Sequence, residues 1–405
     1  MSEIVLLGID SRGITDGQRA LVGECALLVG AERHLAAVTD CPAAKCAITP
    51  LATALTVIRE RLATGESVAV LASGDPLFFG IGRRLLAEFG PERLTIVPGL
   101  SALQEACARF RIPWDDARLV SLHGRTPRHL PGLLLAAAKT VVFTDAQNRP
   151  EVIADQLRDY LGVIEDETML AGCRLSVAEN IGLADERLSS GTLKEIAARR
   201  FAPLNVLLVQ RPGRPVLPRL GLTEAEISHS RGLITKDEVR AVALHRLALP
   251  DEGVLWDIGA GSGSVSVEAG RLCPDLTIFA VEKKQEELAN IRDNIRRYGA
   301  YNVVPIPGEA PAVLDLLPDP DRVFVGGSGG ELESIINQAA ARLGAAGRIV
   351  ANGVTARTVR LAPQHMAAAG LRVTVSRISC ERNDLSASGE SPRIFHPISI
   401  VTGIK

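Results

Sequence analysis

The stretch that decides the fold of this 405-residue chain lies in its second half and reads Val254-Leu255-Trp256-Asp257-Ile258-Gly259-Ala260-Gly261-Ser262-Gly263-Ser264. An apolar run with β character ends at an acid, and alternate glycines then lead into residues 265–269, which can begin a helix. Glycine is needed there because a tight strand-to-helix turn requires unusual φ angles and because a ligand must approach bare backbone. A second apolar run, residues 277–281, ends in Glu282, roughly twenty residues past the last glycine, where a ribose-binding acid is expected.

The spacing of the glycines separates two kinds of nucleotide site. A dinucleotide fingerprint requires G-x-G-x-x-G, but Ser264 stands at the third glycine position. The pattern D-x-G-x-G-x-G instead resembles the S-adenosyl-L-methionine loop of class I methyltransferases. The resemblance implies that Glu282 binds both ribose hydroxyls and that the turn holds the methionine end through Gly259, Ala260, Gly261, Ser262 and Gly263. The alternative is a glycine-rich turn in an ordinary α/β domain.

Length and composition limit the class of protein. A chain of 405 residues exceeds what one core usually serves, so we expect two domains. Lys+Arg 45 against Asp+Glu 47 leaves little net charge, and aromatic residues make up only 3%, so a nucleic-acid partner is disfavoured. The seven cysteines are dispersed without a C-x-x-C pair, which indicates reduced thiols in a cytoplasmic protein and predicts no metal site.

The N-terminus predicts a strand instead of a targeting segment. It lacks the basic region of a signal peptide, and residues 4–9 have the apolar character of a first strand. No apolar run approaches the roughly 20 residues that a membrane span needs, so we expect no membrane association.

The first half of the chain alternates apolar runs with glycine-containing loops. Predicted strands are residues 4–9, 26–30, 67–72, 94–97, 119–122, 140–143, 168–171, 176–179 and 205–209, and predicted helices are residues 52–62 and 103–110, with a further helix beginning at about Asp16. The strands lie closer together after about residue 115, which predicts a second, mixed sheet. Residues 211–222, with three prolines and two glycines, are typical of a linker.

The second half predicts a parallel sheet with an antiparallel pair at one edge. Its predicted strands are residues 254–258, 277–281, 303–306, 322–325, 348–351, 372–378 and 397–401, and the helices between them include residues 285–298, 332–343 and 356–368. The loop before the last strand is too short for a crossover helix, so that strand is expected to run antiparallel. A seven-stranded sheet of this kind is the Rossmann-like architecture of class I methyltransferases.

Two loops in the first half resemble the signature loops of the tetrapyrrole methylases. These are Ser73-Gly74-Asp75-Pro76 and Pro98-Gly99-Leu100-Ser101-Ala102, both at predicted strand ends. The resemblance covers residues 1–212 and implies two α/β subdomains that bind S-adenosyl-L-methionine between them. It departs at the first loop, where the family carries G-x-G-P-G-D and this chain has Gly8-Ile9-Asp10-Ser11-Arg12-Gly13. An ordinary turn is the alternative for either loop.

The segment Ile234-Thr235-Lys236-Asp237-Glu238-Val239-Arg240 resembles the entry of the decarboxylating precorrin methyltransferases. In that family the threonine of this segment lies against the cofactor, which is what the resemblance implies for Thr235. The alternative is that Thr235 caps a helix beginning at Lys236. Gly308-Glu309-Ala310-Pro311 resembles the adenine-side loop of that family, which assigns Ala310 to the cofactor site. Residues 326–330, rich in glycine, follow the fourth strand and are expected to face the acceptor.

The two halves together resemble the fused precorrin methyltransferases of the cobalamin pathway. The resemblance implies methylation of C5 by a domain of residues 1–212, and methylation of C15 with decarboxylation by residues 223–405, joined by linker 213–222. It also implies a small-molecule tetrapyrrole (precorrin) substrate and a homo-oligomer. The alternatives are an RNA methyltransferase, or one active methyltransferase domain with a non-catalytic accessory domain.

Methyl transfer requires little of the side chains beyond holding the methyl donor and the methyl acceptor in line. Candidate general bases at strand ends are His123 and Asp145, although either can be structural. The substrate carries many carboxylates, so cationic side chains are expected around each cleft. The candidates near predicted loops are Arg125, Arg128, Arg231 and Arg393.

Overall fold

The structure of the protein is a computed structural model that describes residues 4–215, 217–230, 234–386 and 389–405. The described residues divide into two compact units. The first contains residues up to 125, residues 139–154 and residues 174–210. The second contains residues 126–138, 155–173 and 211–405.

The first sheet is parallel and has the strand order β3-β2-β4-β1-β5. Its elements are β1 (Ile4–Ile9), α1 (Asp16–Gly23), β2 (Leu27–Gly30), α2 (Glu32–Ala36), β3 (Ala44–Ala47), α3 (Leu51–Ala63), β4 (Val68–Ser73), α4 (Gly82–Phe89), a 3₁₀ helix (Pro91–Arg93), β5 (Leu94–Val97) and α5 (Ala102–Phe110). Ile4 and Leu6 of β1 pack into one hydrophobic cluster, and Leu7 and Ile9 pack into another. Burial on both faces explains why β1, β2 and β4 are nearly continuous apolar runs, whereas the edge strand β3 is mostly exposed.

The second sheet is mixed, with the strand order β6-β7-β10-β8-β9. The next elements along the chain are β6 (Arg118–Ser121), α6 (Leu130–Leu135), β7 (Lys139–Phe143), α7 (Pro150–Val163), α8 (Glu167–Gly172), β8 (Arg174–Glu179), β9 (Arg187–Thr192), α9 (Leu193–Ala197) and β10 (Asn205–Gln210). The mixed sheet after about residue 115 is therefore confirmed. The strand predicted over residues 168–171 is wrong because these residues belong to α8, whose first turn is capped by the Asp166 side chain at 3.0 Å from the Met169 amide.

The second unit contains a seven-stranded sheet in the described residues, with the order β13-β12-β11-β14-β15-β19-β16. Its elements are α10 (Asp237–Leu247), β11 (Glu252–Ile258), α11 (Ser264–Leu272), β12 (Asp275–Glu282), α12 (Gln285–Tyr298), β13 (Val303–Pro307), a 3₁₀ helix (Leu314–Leu316), β14 (Arg322–Val325), α13 (Leu332–Arg342), β15 (Arg348–Gly353), α14 (Ala356–Ala368), β16 (Arg372–Ile378), β17 (Glu381–Ser386), β18 (Gly389–Ile394) and β19 (Ile398–Ile404). Strand β19 runs antiparallel to both β15 and β16, which confirms the predicted architecture. The hairpin β17–β18 was not predicted.

Residues 155–173 pack against residues 211–405 within the second unit. The buried Tyr160 hydroxyl donates to the Val303 carbonyl oxygen at 2.8 Å, and the Tyr301 hydroxyl donates to an Asp166 carboxylate oxygen at 3.1 Å. His129 also contacts this region, since one of its ring nitrogens lies 3.0 Å from the Tyr301 carbonyl oxygen. The second unit therefore takes part of its packing from chain that precedes the predicted linker.

No helix among the residues described is both long and apolar enough to span a membrane.

Candidate functional site

The turn between β11 and α11 has the conformation that its glycines predict. Gly259, Gly261 and Gly263 have φ of +65, +54 and +73, all in the left-handed region. A Cβ atom on Gly259 would lie 2.8 Å from the Gly327 Cα, whereas one on Gly261 would meet nothing within 4 Å. Gly259 therefore allows close packing against the loop after β14, and Gly261 presents bare backbone to open space.

The carboxylate of Glu282 is held across this turn. One oxygen accepts from the Gly261 amide at 2.9 Å, and the other accepts from the Lys283 and Lys284 amides at 2.9 Å and 3.0 Å. The residue is only 8% exposed. Three backbone donors therefore fix the orientation of this carboxylate at the carboxyl end of β12.

A cavity of about 190 Å³ lies along the ends of β11 to β14. The predicted residues Gly259, Glu282 and Ala310 line it. It is also lined by Gly308 and Glu309 after β13, and by Gly327, Ser328 and Gly329 after β14. Four successive strand ends of the sheet thus meet at one cleft, as is usual for ligand sites in open α/β sheets.

Asp257, the acid of the loop pattern, lies beneath the turn and is fully buried. The Ser266 hydroxyl donates to one carboxylate oxygen at 2.5 Å, and within the described chain no donor reaches the other. Burial raises the pKa of Asp257 to about 7, against the opposing hydrogen bond from Ser266 and with a further upward contribution from the Glu282 charge. Asp257 therefore retains its proton to far higher pH than an exposed aspartate.

The other predicted residues of the turn have backbone roles. The Ala260 amide donates to the Val281 carbonyl oxygen at 3.0 Å, which ties the turn to β12. The carbonyl oxygen of the buried Ser262 accepts from the Asn294 side-chain amide at 2.9 Å. Asn294 also accepts from the Ser228 amide, so it links the turn to the segment before α10.

Thr235 does not take the alternative role of a helix cap. The N-cap of α10 is Lys236, and no side chain caps this helix. Thr235 is half-buried, and its carbonyl oxygen accepts from the Arg240 guanidinium at 2.8 Å. Arg240 is buried and its Nε donates to the Glu268 carboxylate at 2.5 Å, so a buried ion pair anchors the entry segment.

In the first unit, three glycines bring the loops after β1, β4 and β5 together. A Cβ atom on Gly8 would overlap the Gly74 carbonyl oxygen and the Gly99 amide. Gly74 has a φ of +59, and a Cβ atom there would lie 2.8 Å from the Ser101 Cα. Only bare backbone permits this approach, so the altered first loop keeps the glycine that the contact requires.

A cavity of about 640 Å³ lies at these loops and extends to residues of the second sheet. The predicted residues that line it are Gly74, Asp75, Ser101, Ala102 and His123. Ser101 also caps α5 by accepting from the Gln104 amide at 3.3 Å. The structure thus brings both signature loops and one candidate base to one cleft.

Other predicted residues of the first unit stand apart from the lining of this cavity. Pro76 is not among the lining residues, and neither is Asp145. One Asp145 oxygen accepts from the Gln147 and Asn148 amides at 2.9 Å and 2.7 Å, and these hydrogen bonds, led by that of Asn148, lower its pKa. The geometry favours the capping role for Asp145.

The four candidate arginines are placed differently. Arg125 and Arg128 are exposed in the loop after β6. Arg393 is exposed on β18, in register with Arg382 on β17. Arg231 lies outside the described residues.

Sequence reasoning missed several side chains that line the larger cavity. Asp10 follows β1 directly, and its carboxylate accepts from the Leu100 amide at 3.1 Å; a hydrogen bond from the Arg12 side chain lowers its pKa to about 2. Glu105 on α5 is buried and accepts from the Ser11 hydroxyl. Arg33 and His34 follow β2. Asp10 has a sequence signal, since it follows a strand as Glu282 does, but Glu105 lies inside a helix and has none.

Among the described residues, no group of three or more His, Cys, Asp or Glu side chains is arranged to hold a metal ion.

Two protein-family descriptions match the chain. Tetrapyrrole (Corrin/Porphyrin) Methylases match residues 5–197, and the Precorrin methyltransferase domain matches residues 226–400.

Individual proteins match as well. A Sinorhizobium protein named precorrin-6Y C(5,15)-methyltransferase (decarboxylating) is 32% identical over 386 residues, which cover 92% of this chain and 91% of the relative. The cobalt-precorrin-6B C(15)-methyltransferase (decarboxylating) of Salmonella typhimurium is 36% identical over 154 residues, or 38% of this chain and 77% of the relative. The crystal structure of precorrin-6y C5,15-methyltransferase from Geobacter metallireducens is 43% identical, with a TM-score of 0.45, and covers 46% of this chain and 98% of that chain.

Proposed function

This chain belongs to the family of precorrin-6Y C(5,15)-methyltransferases (decarboxylating), and on that premise we propose that it methylates C5 and C15 of a precorrin-6 ring with S-adenosyl-L-methionine and removes carbon dioxide from the ring's C12 acetate, giving precorrin-8. The observation that carries the proposal is the carboxylate of Glu282, held by three amides beside the bare backbone of Gly261. Such an oriented carboxylate suits a ribose diol, because each hydroxyl can donate to it.

The smaller cleft offers groups suited to S-adenosyl-L-methionine, but its cavity of about 190 Å³ is below the usual size of small-molecule sites, so part of the cofactor would extend beyond it. We assign the ribose to Glu282, the methionine end to the turn 259–263, and the adenine side to Ala310 and its neighbours. Thr235 belongs to the same site by family resemblance. When bound, the cofactor supplies an electrophilic methyl group on a sulfonium.

The larger cleft fits the same cofactor. Gly74, Asp75 and Pro76 of one loop and Ser101 and Ala102 of the other are assigned to it. The contact between Gly8, Gly74 and Gly99 supports this assignment, because closely packed glycines leave backbone amides and carbonyls open to a ligand. The cavity of about 640 Å³ is within the size range of small-molecule sites.

The side chains mainly hold the reactants in line and exclude water. The enamine-like carbons of the reduced ring are already nucleophiles, so no residue needs to activate them. His123 lines the larger cleft and is our candidate to accept the proton released after methylation there. Asp145 remains a second candidate, although its carboxylate already accepts three hydrogen bonds from neighbouring nitrogens. In the decarboxylation, the bond from the acetate methylene to the carboxyl carbon breaks and the conjugated ring takes the electron pair.

We assign C5 methylation to residues 1–212 and C15 methylation with decarboxylation to residues 223–405, with residues 213–222 as the linker. The Salmonella relative supports a division into two activities, because a chain that matches only 38% of this one carries C15 methylation and decarboxylation in its name. Arg125, Arg128, Arg231 and Arg393 are proposed to bind carboxylates of the ring substrate.

We also propose that the protein works in the cytoplasm as a homo-oligomer. Its seven cysteines, all within the described residues, are dispersed and none forms a disulfide in the structure, which supports a reducing compartment. The oligomer rests on family resemblance.

The function is tested by incubating the full chain with precorrin-6Y and methyl-labelled S-adenosyl-L-methionine and analysing the product by mass spectrometry. We expect two labelled methyl groups and the loss of one carbon dioxide. Transfer of one methyl group only would support the alternative of a single active domain with an accessory domain. Transfer of label to RNA and not to the ring would contradict the proposal and support an RNA methyltransferase.

A further inference from the structure

Part of the larger cavity lies beyond the predicted cofactor loops. Those loops follow β1, β4 and β5, whereas the order β3-β2-β4-β1-β5 places β2 and β3 on the other side of β4. The cavity continues over the ends of these two strands, where Ala31, Arg33 and His34 after β2 and Ile48 after β3 line it. This end of the cavity has no assigned occupant in the proposed function.

Arg33 carries a positive charge into this end of the cavity. One guanidinium nitrogen donates to the Ser73 hydroxyl at 2.7 Å, and Nε donates to Nε2 of His34 at 3.3 Å. Both partners are neutral acceptors when His34 is unprotonated. Among the described residues, no carboxylate pairs with Arg33, and no other lysine or arginine lines the cavity.

The acidic side chains of the cavity are already engaged. Asp10 pairs with Arg12 at 2.5 Å, Asp75 accepts from the Leu77 amide at 2.8 Å, and Glu105 accepts from the Ser11 hydroxyl. The charge of Arg33 is therefore left for a ligand. Arginine is the cation best suited to a carboxylate, because its planar donors match both oxygens.

His34 is placed to orient this guanidinium. It is 8% exposed, and Nε2 also lies 3.4 Å from the Ser73 hydroxyl, so the three side chains contact one another. Burial, and then the neighbouring Arg33 charge, lowers the pKa of His34, so the ring is neutral near neutral pH. Nε2 accepts from Arg33 in the tautomer that carries the proton on Nδ1.

We propose that Arg33 binds a carboxylate side chain of the tetrapyrrole acceptor in the first unit, and that His34 and Ser73 are positioning residues for its guanidinium. This proposal rests on the proposed function. A carboxylate also occurs on the methionine end of the cofactor, and Ser73 begins the loop after β4 that is assigned to that cofactor. The ring is favoured because it carries many carboxylates and because β2 and β3 lie on the side of β4 away from β1 and β5.

The test compares Arg33→Gln with Arg33→Lys and with the control Arg83→Gln, an exposed arginine on α4 outside the cavity lining. Each full-length variant is titrated with S-adenosylhomocysteine and assayed for labelled methyl transfer to precorrin-6Y. Charge-assisted hydrogen bonds are worth about 1.5–3 kcal/mol, so we expect Arg33→Gln to raise the KM for the ring in one methylation by roughly ten- to a hundredfold, with kcat less affected. We expect an unchanged S-adenosylhomocysteine affinity, a partial effect for Arg33→Lys and none for Arg83→Gln.

The positioning role of His34 is tested with variants that remove or keep a hydrogen-bond acceptor at this position. We expect His34→Leu to raise the KM for the ring without changing S-adenosylhomocysteine binding. We expect His34→Gln, which retains a hydrogen-bond acceptor, to raise this KM much less. Equal losses in both variants would contradict a positioning role.

The outcomes separate this inference from the proposed function. A wild-type chain that transfers no methyl group to the ring would overturn the proposed function. If the wild-type chain methylates the ring and Arg33→Gln has the same KM for the ring, only the role of Arg33 would be overturned. Weaker S-adenosylhomocysteine binding by Arg33→Gln, with the KM for the ring unchanged, would assign Arg33 to the cofactor carboxylate and overturn the inference.

Discussion

At the scale of single residues, Asp257 connects the buried core of the second unit to the turn between β11 and α11. Its pKa is raised by burial from 3.8 to about 7, so folding favours its protonated form. The stability gained from that form is complete below the ordinary pKa and is lost as pH rises through about 7. We therefore expect the unfolding free energy of the second unit to fall between pH 4 and pH 7, and Asp257→Asn to remove that fall.

The measurement is urea unfolding followed by the fluorescence of the buried Trp256, in a Trp114→Phe background that removes the other tryptophan. The control is Asp251→Asn, an exposed position just before β11. The same pH slope in Asp257→Asn and in the parent would show that Asp257 does not keep its proton in the folded chain.

Gly74, Asp75, Gly259 and Glu282 were predictable as lining residues because strand ends and tight turns have local signals, whereas Asp10 and Glu105 were missed. For Thr235 the structure excludes the alternative of a helix cap, since its side chain does not cap α10, and the cofactor contact stays a prediction. The buried pair Arg240–Glu268 holds that segment instead, and the two residues are 28 positions apart. Arg33 was missed for the same reason, since its partner Ser73 is 40 positions away.

At the scale of elements, the β11–α11 turn makes different demands on its glycines. Gly259→Ala would place a Cβ atom against the Gly327 backbone, whereas Gly261→Ala meets only the cost of a left-handed residue, about 1–2 kcal/mol. We expect Gly259→Ala to lower the melting temperature more than Gly261→Ala does. We expect Gly261→Ala chiefly to weaken S-adenosylhomocysteine binding.

Thermal unfolding and calorimetric titration of both variants measure these effects. Gly344→Ala is the control, because a Cβ atom there meets nothing within 4 Å and the residue has no positive φ. Equal melting temperatures for the two turn variants would contradict the packing argument.

Elements with a clear period were predicted closely, and α12 and α14 have the predicted bounds. The prediction of a strand over residues 168–171 was wrong because a run of four apolar or β-branched residues is compatible with either a strand or a helix. The capping side chain of Asp166 selects the helix. The hairpin β17–β18 lacked the alternation of a half-buried strand, and Leu385 on it is 71% exposed.

At the scale of the whole molecule, the second unit does not coincide with the predicted domain 223–405. It also contains residues 126–138 and 155–173, whose contacts with Tyr301 and Val303 have no local sequence signal. The hydroxyl of Tyr160 remains a donor to the Val303 carbonyl, since burial raises its pKa well above 10. The predicted boundaries and the division of labour between domains stay predictions.

We expect Tyr160→Phe to lower the unfolding free energy of the second unit by about 1–3 kcal/mol, because it leaves a buried carbonyl oxygen without its donor. The Trp256 fluorescence assay measures this change, and Tyr298→Phe, whose hydroxyl bonds near the surface, is the control with a smaller expected effect. An unchanged unfolding free energy in Tyr160→Phe would contradict a stabilising contact here. Residues 223–405 made alone should likewise be less stable than the same residues in the full chain.

One chain is proposed to hold two separate S-adenosyl-L-methionine sites, and calorimetric titration of the full chain with S-adenosylhomocysteine counts them. The full chain is the right sample because the predicted linker does not separate the packed units. We predict two sites per chain in the parent, one site in Glu282→Ala, and two in the control Glu286→Ala, an exposed position on α12. A single site in the parent, or two unaltered sites in Glu282→Ala, would contradict the account.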